Sequence, residues 1–155
     1  HPETLAFIRS GFALSDFDRA VTELHKRGIK VIVHLILGLP GETKEMMRAS
    51  VSYAAALPVF GMKLQLLHIL KGTDLHTYYE SHPFDTFTLD DYCDFVTECV
   101  ALLPPDIVIH RLTGDGPKKL LAAPLWSADK KRVLNQLQRT FREKDIWQGK
   151  YYPQS

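Results

Sequence analysis

The chain has 155 residues, 45% hydrophobic, 24% charged and 10% aromatic, a composition that supports one packed core. Its 19 Lys and Arg against 18 Asp and Glu leave a net charge of +1, so no global field draws nucleic acid or an anionic membrane surface. The longest apolar run, 31–38 broken by His34, falls far short of the ~20 residues that cross a bilayer.

Taken in chain order, His1-Pro2-Glu3-Thr4 reads as the interior of a longer protein, so the chain is expected to be a piece of one. Pro2 with Glu3 beside it starts a helix running to about Arg9. Ser15, followed by Asp16 and Asp18, is expected to cap a second helix, in which Phe17, Ala20, Val21 and Leu24 recur at helical spacing until Gly28 stops it. Residues 30–37 are β-branched and nearly all apolar, which predicts a strand covered on both faces, as in a parallel sheet. Gly38 to Glu42 form a turn, and Thr43 caps a helix over 44–57 with Met46, Met47, Ser50, Val51 and Ala54 inward.

Pro58 and Gly61 interrupt the chain before a second buried strand, 63–70. Gly72-Thr73 leads into a short helix over 74–80, and His82-Pro83-Phe84 form a loop. Thr88, with Asp90 and Asp91 after it, caps a helix through Leu103 that Pro104-Pro105 end. Residues 107–112 make a third strand, and Thr113-Gly114-Asp115-Gly116-Pro117 a second glycine-rich turn. An amphipathic helix over 127–144 and an exposed aromatic tail (Trp147, Tyr151, Tyr152) complete the chain. Strands alternating with helices over long crossovers predict parallel strands in an α/β fold. Three strands neither close a barrel nor make a typical open sheet, so residues 1–125 read as half of a larger barrel, with 126–155 packed on it.

Sites in parallel α/β sheets lie at the carboxyl ends of the strands. His34, His68 and His110 each fall in the second half of a strand, sharing a face with Ile36 and Gly38, with Leu70, and with Leu112 respectively. If those faces line one lumen, the three imidazoles converge. Zinc would use such a trio with a carboxylate, Asp115 being the nearest, which gives a metal-dependent hydrolase as one reading. No His-x-His or His-Glu-x-x-His pairing supports it. Gly38-Leu39-Pro40-Gly41 would let backbone approach a ligand ahead of a helix N-terminus, but it matches no nucleotide-phosphate motif. Arg9 is a candidate carboxylate clamp, whereas simple alternation turns Arg111 away from His110 toward the helices or the interface. Lys130-Lys131-Arg132 reads as a solvated helix face. Cys93 and Cys99, six apart and so about 240° apart on a helix, match no metal spacing. They read as packed thiols of a reducing cytoplasm, and no signal peptide is expected.

The phrase from His34 to Glu42 (His-Leu-Ile-Leu-Gly-Leu-Pro-Gly-Glu) is preceded by Arg27-Gly28-Ile29-Lys30-Val31. It is followed by residues 63–75, Lys-Leu-Gln-Leu-Leu-His-Ile-Leu-Lys-Gly-Thr-Asp-Leu. Together these resemble the carboxyl half of the radical S-adenosylmethionine (SAM) core. The resemblance covers nearly the whole chain and is nearest to the YhcC-like bacterial group, in the branch shared with oxygen-independent coproporphyrinogen oxidase and the elongator catalytic subunit. It implies a TIM-like (β/α)6 barrel, of which this chain supplies the fourth to sixth strands or near equivalents. It implies that Ile36 packs on adenine, Gly38 gives the adenine room, and His34 faces the ribose. The stretch Leu67, His68, Ile69 and Leu70 would offer backbone groups to the adenine edge. Arg9 would pair with the methionine carboxylate, although Ile8 stands where the family has Asn.

The implied cofactors are S-adenosylmethionine and a [4Fe-4S] cluster, both in the parent protein. The parent would cleave S-adenosylmethionine reductively and abstract hydrogen from an unknown substrate. The three-cysteine motif that holds the cluster is not in this sequence, so the chain alone is expected to be inactive. An exposed barrel edge implies a homo-oligomer. A non-catalytic binding or assembly module is the remaining alternative.

Overall fold

The computed structural model describes residues 1–153. In chain order the elements are α1 (Pro2–Phe7), α2 (Leu14–Lys26), β1 (Ile32–Leu37), α3 (Lys44–Ala55), β2 (Gly61–Leu66), β3 (Ile69–Leu70) and α4 (Asp74–Ser81). They continue as α5 (Leu89–Leu102), β4 (Val108–Arg111), β5 (Leu121–Ala123) and α6 (Lys130–Glu143). Single 3₁₀ turns at Lys118–Leu120 and Leu125–Ala128 flank β5.

Three of the strands form a parallel sheet in the order β1-β2-β4, with β2 at its centre. β1 and β2 run in unbroken register from Ile32 beside Gly61 to Leu37 beside Leu66. Helices α3 and α5 cover one face. Val33, Leu37, Met62, Leu64 and Leu66 meet Met47, Val51 and Ala54 of α3 and Tyr92, Phe95, Val96 and Cys99 of α5 in a single core. Helix α6 packs behind α5 through Val133 and Leu137. An α/β domain with three parallel strands flanked by helices is therefore the fold.

Local chemistry explains most helix boundaries. The hydroxyls of Thr43, Thr73 and Thr88 each accept an N–H from the first turn of the helix they precede. Helix α2 departs from expectation, because its N-cap is Ala13 rather than Ser15. The Asp16 carboxylate accepts the Ala13 N–H at 3.1 Å, so the aspartate one turn in does the work a capping hydroxyl would do. Gly28, at φ +71°, ends α2 with its N–H on His25 O.

Two strand expectations are corrected. β1 is not covered on both faces: Val33 and Leu37 are buried, but His34 and Ile36 are exposed on the side that no helix covers. The run 63–70 is not one strand. Leu67 N–H bonds Leu37 O at 2.9 Å and closes the parallel ladder, then Ile69–Leu70 pair antiparallel with Leu121–Ala123 in a second, two-stranded sheet. A small satellite core of Leu67, Ile69 and Ala123 forms there, against Leu39, Leu75, Tyr79 and Phe84. Among the described residues no helix is long and apolar enough to cross a membrane.

Tyr92 ties the covering layer to the sheet. It is fully buried, and its hydroxyl donates to Leu112 O at 2.9 Å, joining α5 to the end of β4. Tyr92→Phe keeps the ring and strands that carbonyl, so urea unfolding should register a loss of about 1–2 kcal/mol. An unchanged midpoint would mean that Leu112 O does not depend on this donor.

Candidate functional site

The uncovered face of the sheet is built by strand alternation. Because Val33, Met62 and Ile109 point into the core, the rows between them point out. One row is Ile32, Gly61 and Val108, the next is His34, Lys63 and Arg111, and above it stand Ile36 and Gln65. The expected direction of Arg111 is overturned by an irregularity in register at Met62/Lys63, where β4 carries one residue more than β2. Ile109 and Leu112, three apart, both pack against the core, so His110 and Arg111 are left together on the open side. The His34 imidazole feels this company. Partial burial first, then the charges of Lys63, Arg111 and His110, hold it below its ordinary titration range.

His68 does not join His34 and His110. Its ring inserts into the 113–116 loop, where Gly116 N–H donates to Nδ1 at 3.1 Å. A Cβ on Gly114 would overlap the ring at Nε2, and one on Gly116 would come to 2.7 Å from Nδ1. The two glycines are thus there to admit an imidazole. Burial lowers the titration range of His68, and the Gly116 bond assigns the proton to Nε2, which is buried without a partner. The expected convergence of three histidines fails, because the β2 strand ends before His68. Among the described residues no three His, Cys, Asp or Glu side chains gather as metal ligands. Asp115, the expected fourth ligand, is paired with Arg111 at 3.0 Å and Lys130 at 3.1 Å. The Lys130 hydrogen bond first, and then Arg111, hold its carboxyl below the usual range.

The other candidates occupy separate settings. Ile36 lies on the open face, 41% exposed, two residues above His34. Gly38 sits at φ +92°, and a Cβ there would stand 3.2 Å from the Phe87 ring, so both backbone shape and packing require glycine. Leu67 is buried with its N–H on Leu37 O, and Leu70 O accepts the N–H and hydroxyl of Thr73. Arg9 has a left-handed backbone (φ 54°), and its guanidinium bonds Asp74 at the start of α4 at 2.8 Å, out in solvent. Cys93 and Cys99 are buried in the α5 core, and burial pushes their thiols up to about 11 and about 12. An apolar cavity of about 550 Å³ along β1, which no sequence pattern announced, is lined by Leu5, Ile8, Phe12, His34, Leu35 and Ile36 among others. It assembles from α1, the loop before α2 and the β1–α3 unit, which only the tertiary fold brings together.

Residues 59–143 match the model of the Radical_SAM C-terminal domain. The uncharacterized protein YtqA of Bacillus subtilis is 36% identical over 152 residues, covering 98% of this chain and 47% of the relative. Protein YhcC of Escherichia coli K12 is 30% identical over 146 residues, 94% of this chain and 47% of that protein. A tRNA uridine(34) acetyltransferase of Dehalococcoides mccartyi is 27% identical over 76% of this chain and 26% of its own length. A solved structure of Methanocaldococcus infernus Elp3 superposes with a TM-score of 0.77 at 18% identity, over 96% of this chain and 35% of that one, a likeness of fold. The chain thus spans about half the length of YtqA and YhcC.

The His68 latch is testable on its own. Gly114→Ala forces a methyl group onto the imidazole and should cost roughly 1–3 kcal/mol in denaturant unfolding. Adding His68→Ala should recover part of that loss, a coupling that a double-mutant cycle reads directly. Strictly additive costs would refute the contact.

Proposed function

The chain belongs to the Radical_SAM C-terminal domain family, and from that premise we propose that it forms the carboxyl-terminal wall of a radical S-adenosylmethionine barrel. The observation that carries this reading is the open face itself, with the exposed Ile36 next to last in its edge strand and the His34 imidazole two residues before it. Ile36 would take the adenine and His34 the ribose. The Leu67 to Leu70 stretch would border the nucleoside. Gly38 and His68 would act by position, Gly38 by admitting Phe87 and His68 by fixing the 113–116 loop. Arg9 would exchange Asp74 for the methionine carboxylate, as one charge-assisted bond for another.

When bound and supplied with an electron, S-adenosylmethionine provides a carbon-centred radical that takes hydrogen from a substrate. The protein's part is placement and shielding. Cys93 and Cys99 do not fit a [4Fe-4S] cluster, since both are buried, protonated thiols on one helix. The cluster would belong to the parent protein outside these 155 residues, and the chain alone would not turn over. Two buried reduced thiols suit a reducing cytoplasm. Residues 1–125 form the wall in this reading. Residues 126–153 would brace it, with α6 against α5 and Tyr151 N–H on Ala101 O at 2.9 Å; the last two residues of that segment lie outside the described residues.

Calorimetric titration of the 155-residue chain with S-adenosylmethionine tests the site. Binding should weaken by about tenfold, ~1.4 kcal/mol, in Ile36→Asp, and severalfold in His34→Ala. No heat of binding, or equal affinity in Ile36→Asp, would sink the reading.

β1 is also a free edge, with the apolar cavity beside it. Unpaired edges and apolar hollows tend to be covered, so the isolated chain should self-associate there. Light scattering should return a dimer or larger. A clean monomer would refute this second proposal and leave the first standing.

A further inference from the structure

We propose that Lys63, Arg111 and His110, with His34 beside them, form a seat for a phosphate group carried by the substrate. Lys63 lies mid-strand on the central strand and is half-buried, its Cα beside His34 on one side and Arg111 on the other. Adjacent strands are about 4.8 Å apart, so the row spans roughly 10 Å, the reach of one or two phosphoryl groups. The register irregularity in β4 turns His110 and Arg111 onto the same side, which adds a second nitrogen-bearing side chain to that end of the row.

Among the described residues, the carboxylate paired into this row is Asp115. Asp115 is shared by Arg111 at 3.0 Å and Lys130 at 3.1 Å, so these two cations and Lys63 together carry two more positive charges than the one carboxylate offsets. A phosphate monoester carries about −1.5 to −2 near neutral pH and so matches that surplus, whereas one carboxylate would cancel half of it. The donor geometry agrees. Arg111 offers a planar fork, Lys63 a compact point charge, and each imidazole an N–H, so a tetrahedral oxyanion is met from several directions. Gly61 contributes indirectly. A Cβ there would press on the His110 ring at 2.8 Å, so its lack of a side chain lets the imidazole lie down against the strand.

Assigning this phosphate to the substrate rests on reading the open face as a radical-SAM chamber, but the seat itself can be measured without S-adenosylmethionine. The 155-residue chain, with labelled histidine rings, is titrated with inorganic phosphate at constant ionic strength and followed by NMR. His34 and His110 should shift saturably while His25, on α2, does not. Lys63→Gln and Arg111→Gln should each weaken the apparent affinity at least severalfold, and Lys63→Arg should restore most of it. Thermal melts confirm that each variant is folded. A linear, unsaturated shift, an affinity unchanged in both glutamine variants, or succinate binding as tightly as phosphate would each overturn the proposal. Phosphate binding without S-adenosylmethionine binding would keep the seat and discard the chamber. The reverse result would discard the seat alone.

Discussion

The fold depends on one constraint, the alternation of the central strand. Met62, Leu64 and Leu66 of β2 are almost without exposure and lie against α3 and α5. Each such side chain is worth ~1.5–3 kcal/mol when buried. A slip of one residue would expose all three and drive Lys63 and Gln65 into the core, where an unpaired ammonium is far more costly than the lost apolar burial. The direction of every functional candidate on the sheet follows from that. His34 and Ile36 face outward because Val33 and Leu37 cannot.

The same argument explains the irregular β4. Strict alternation after Ile109 would point Arg111 toward the core and Leu112 away from it. One extra residue keeps both apolar side chains on the core and moves the two polar ones to the open face. Tyr92, whose hydroxyl reaches Leu112 O, holds the strand where alternation resumes. A purely structural preference for burying Leu112 therefore creates the cationic row.

How much of this was legible in the sequence follows from the same physics. Helix caps are local chemistry, and Thr43 and Thr88 marked their helices from sequence alone. The parallel sheet was legible because β-branched runs alternated with helical spacing, and the family resemblance carried by the phrases beginning at His34 and Lys63 agrees with the match over 59–143 and with relatives covering nearly the whole chain. The open face of β1 was not, because Ile36 is apolar yet exposed, and composition cannot distinguish an uncovered apolar residue from a buried one. The break after Leu66 was hidden for the opposite reason. Leu67 and Ile69 stay buried on passing from one core to the next, so the apolar run continues where the strand does not. His68 sits in the second half of its run, as His34 and His110 do in theirs, and only the pairing of Ile69–Leu70 with Leu121–Ala123, more than fifty residues away, turns it into the 113–116 loop.

Two uncovered surfaces remain, and their chemistry differs. Along the free edge of β1 lies an apolar hollow, where solvation is unfavourable and another apolar segment is the natural cover. Across the open face runs a cationic row, which water solvates readily and which favours an anionic or polar occupant over a hydrophobic one. A single covering element could not satisfy both. β1 borders both surfaces. Its outward residues His34 and Ile36 stand on the open face and also line the hollow. Any segment that docks on the edge must for that reason set the position of those two side chains.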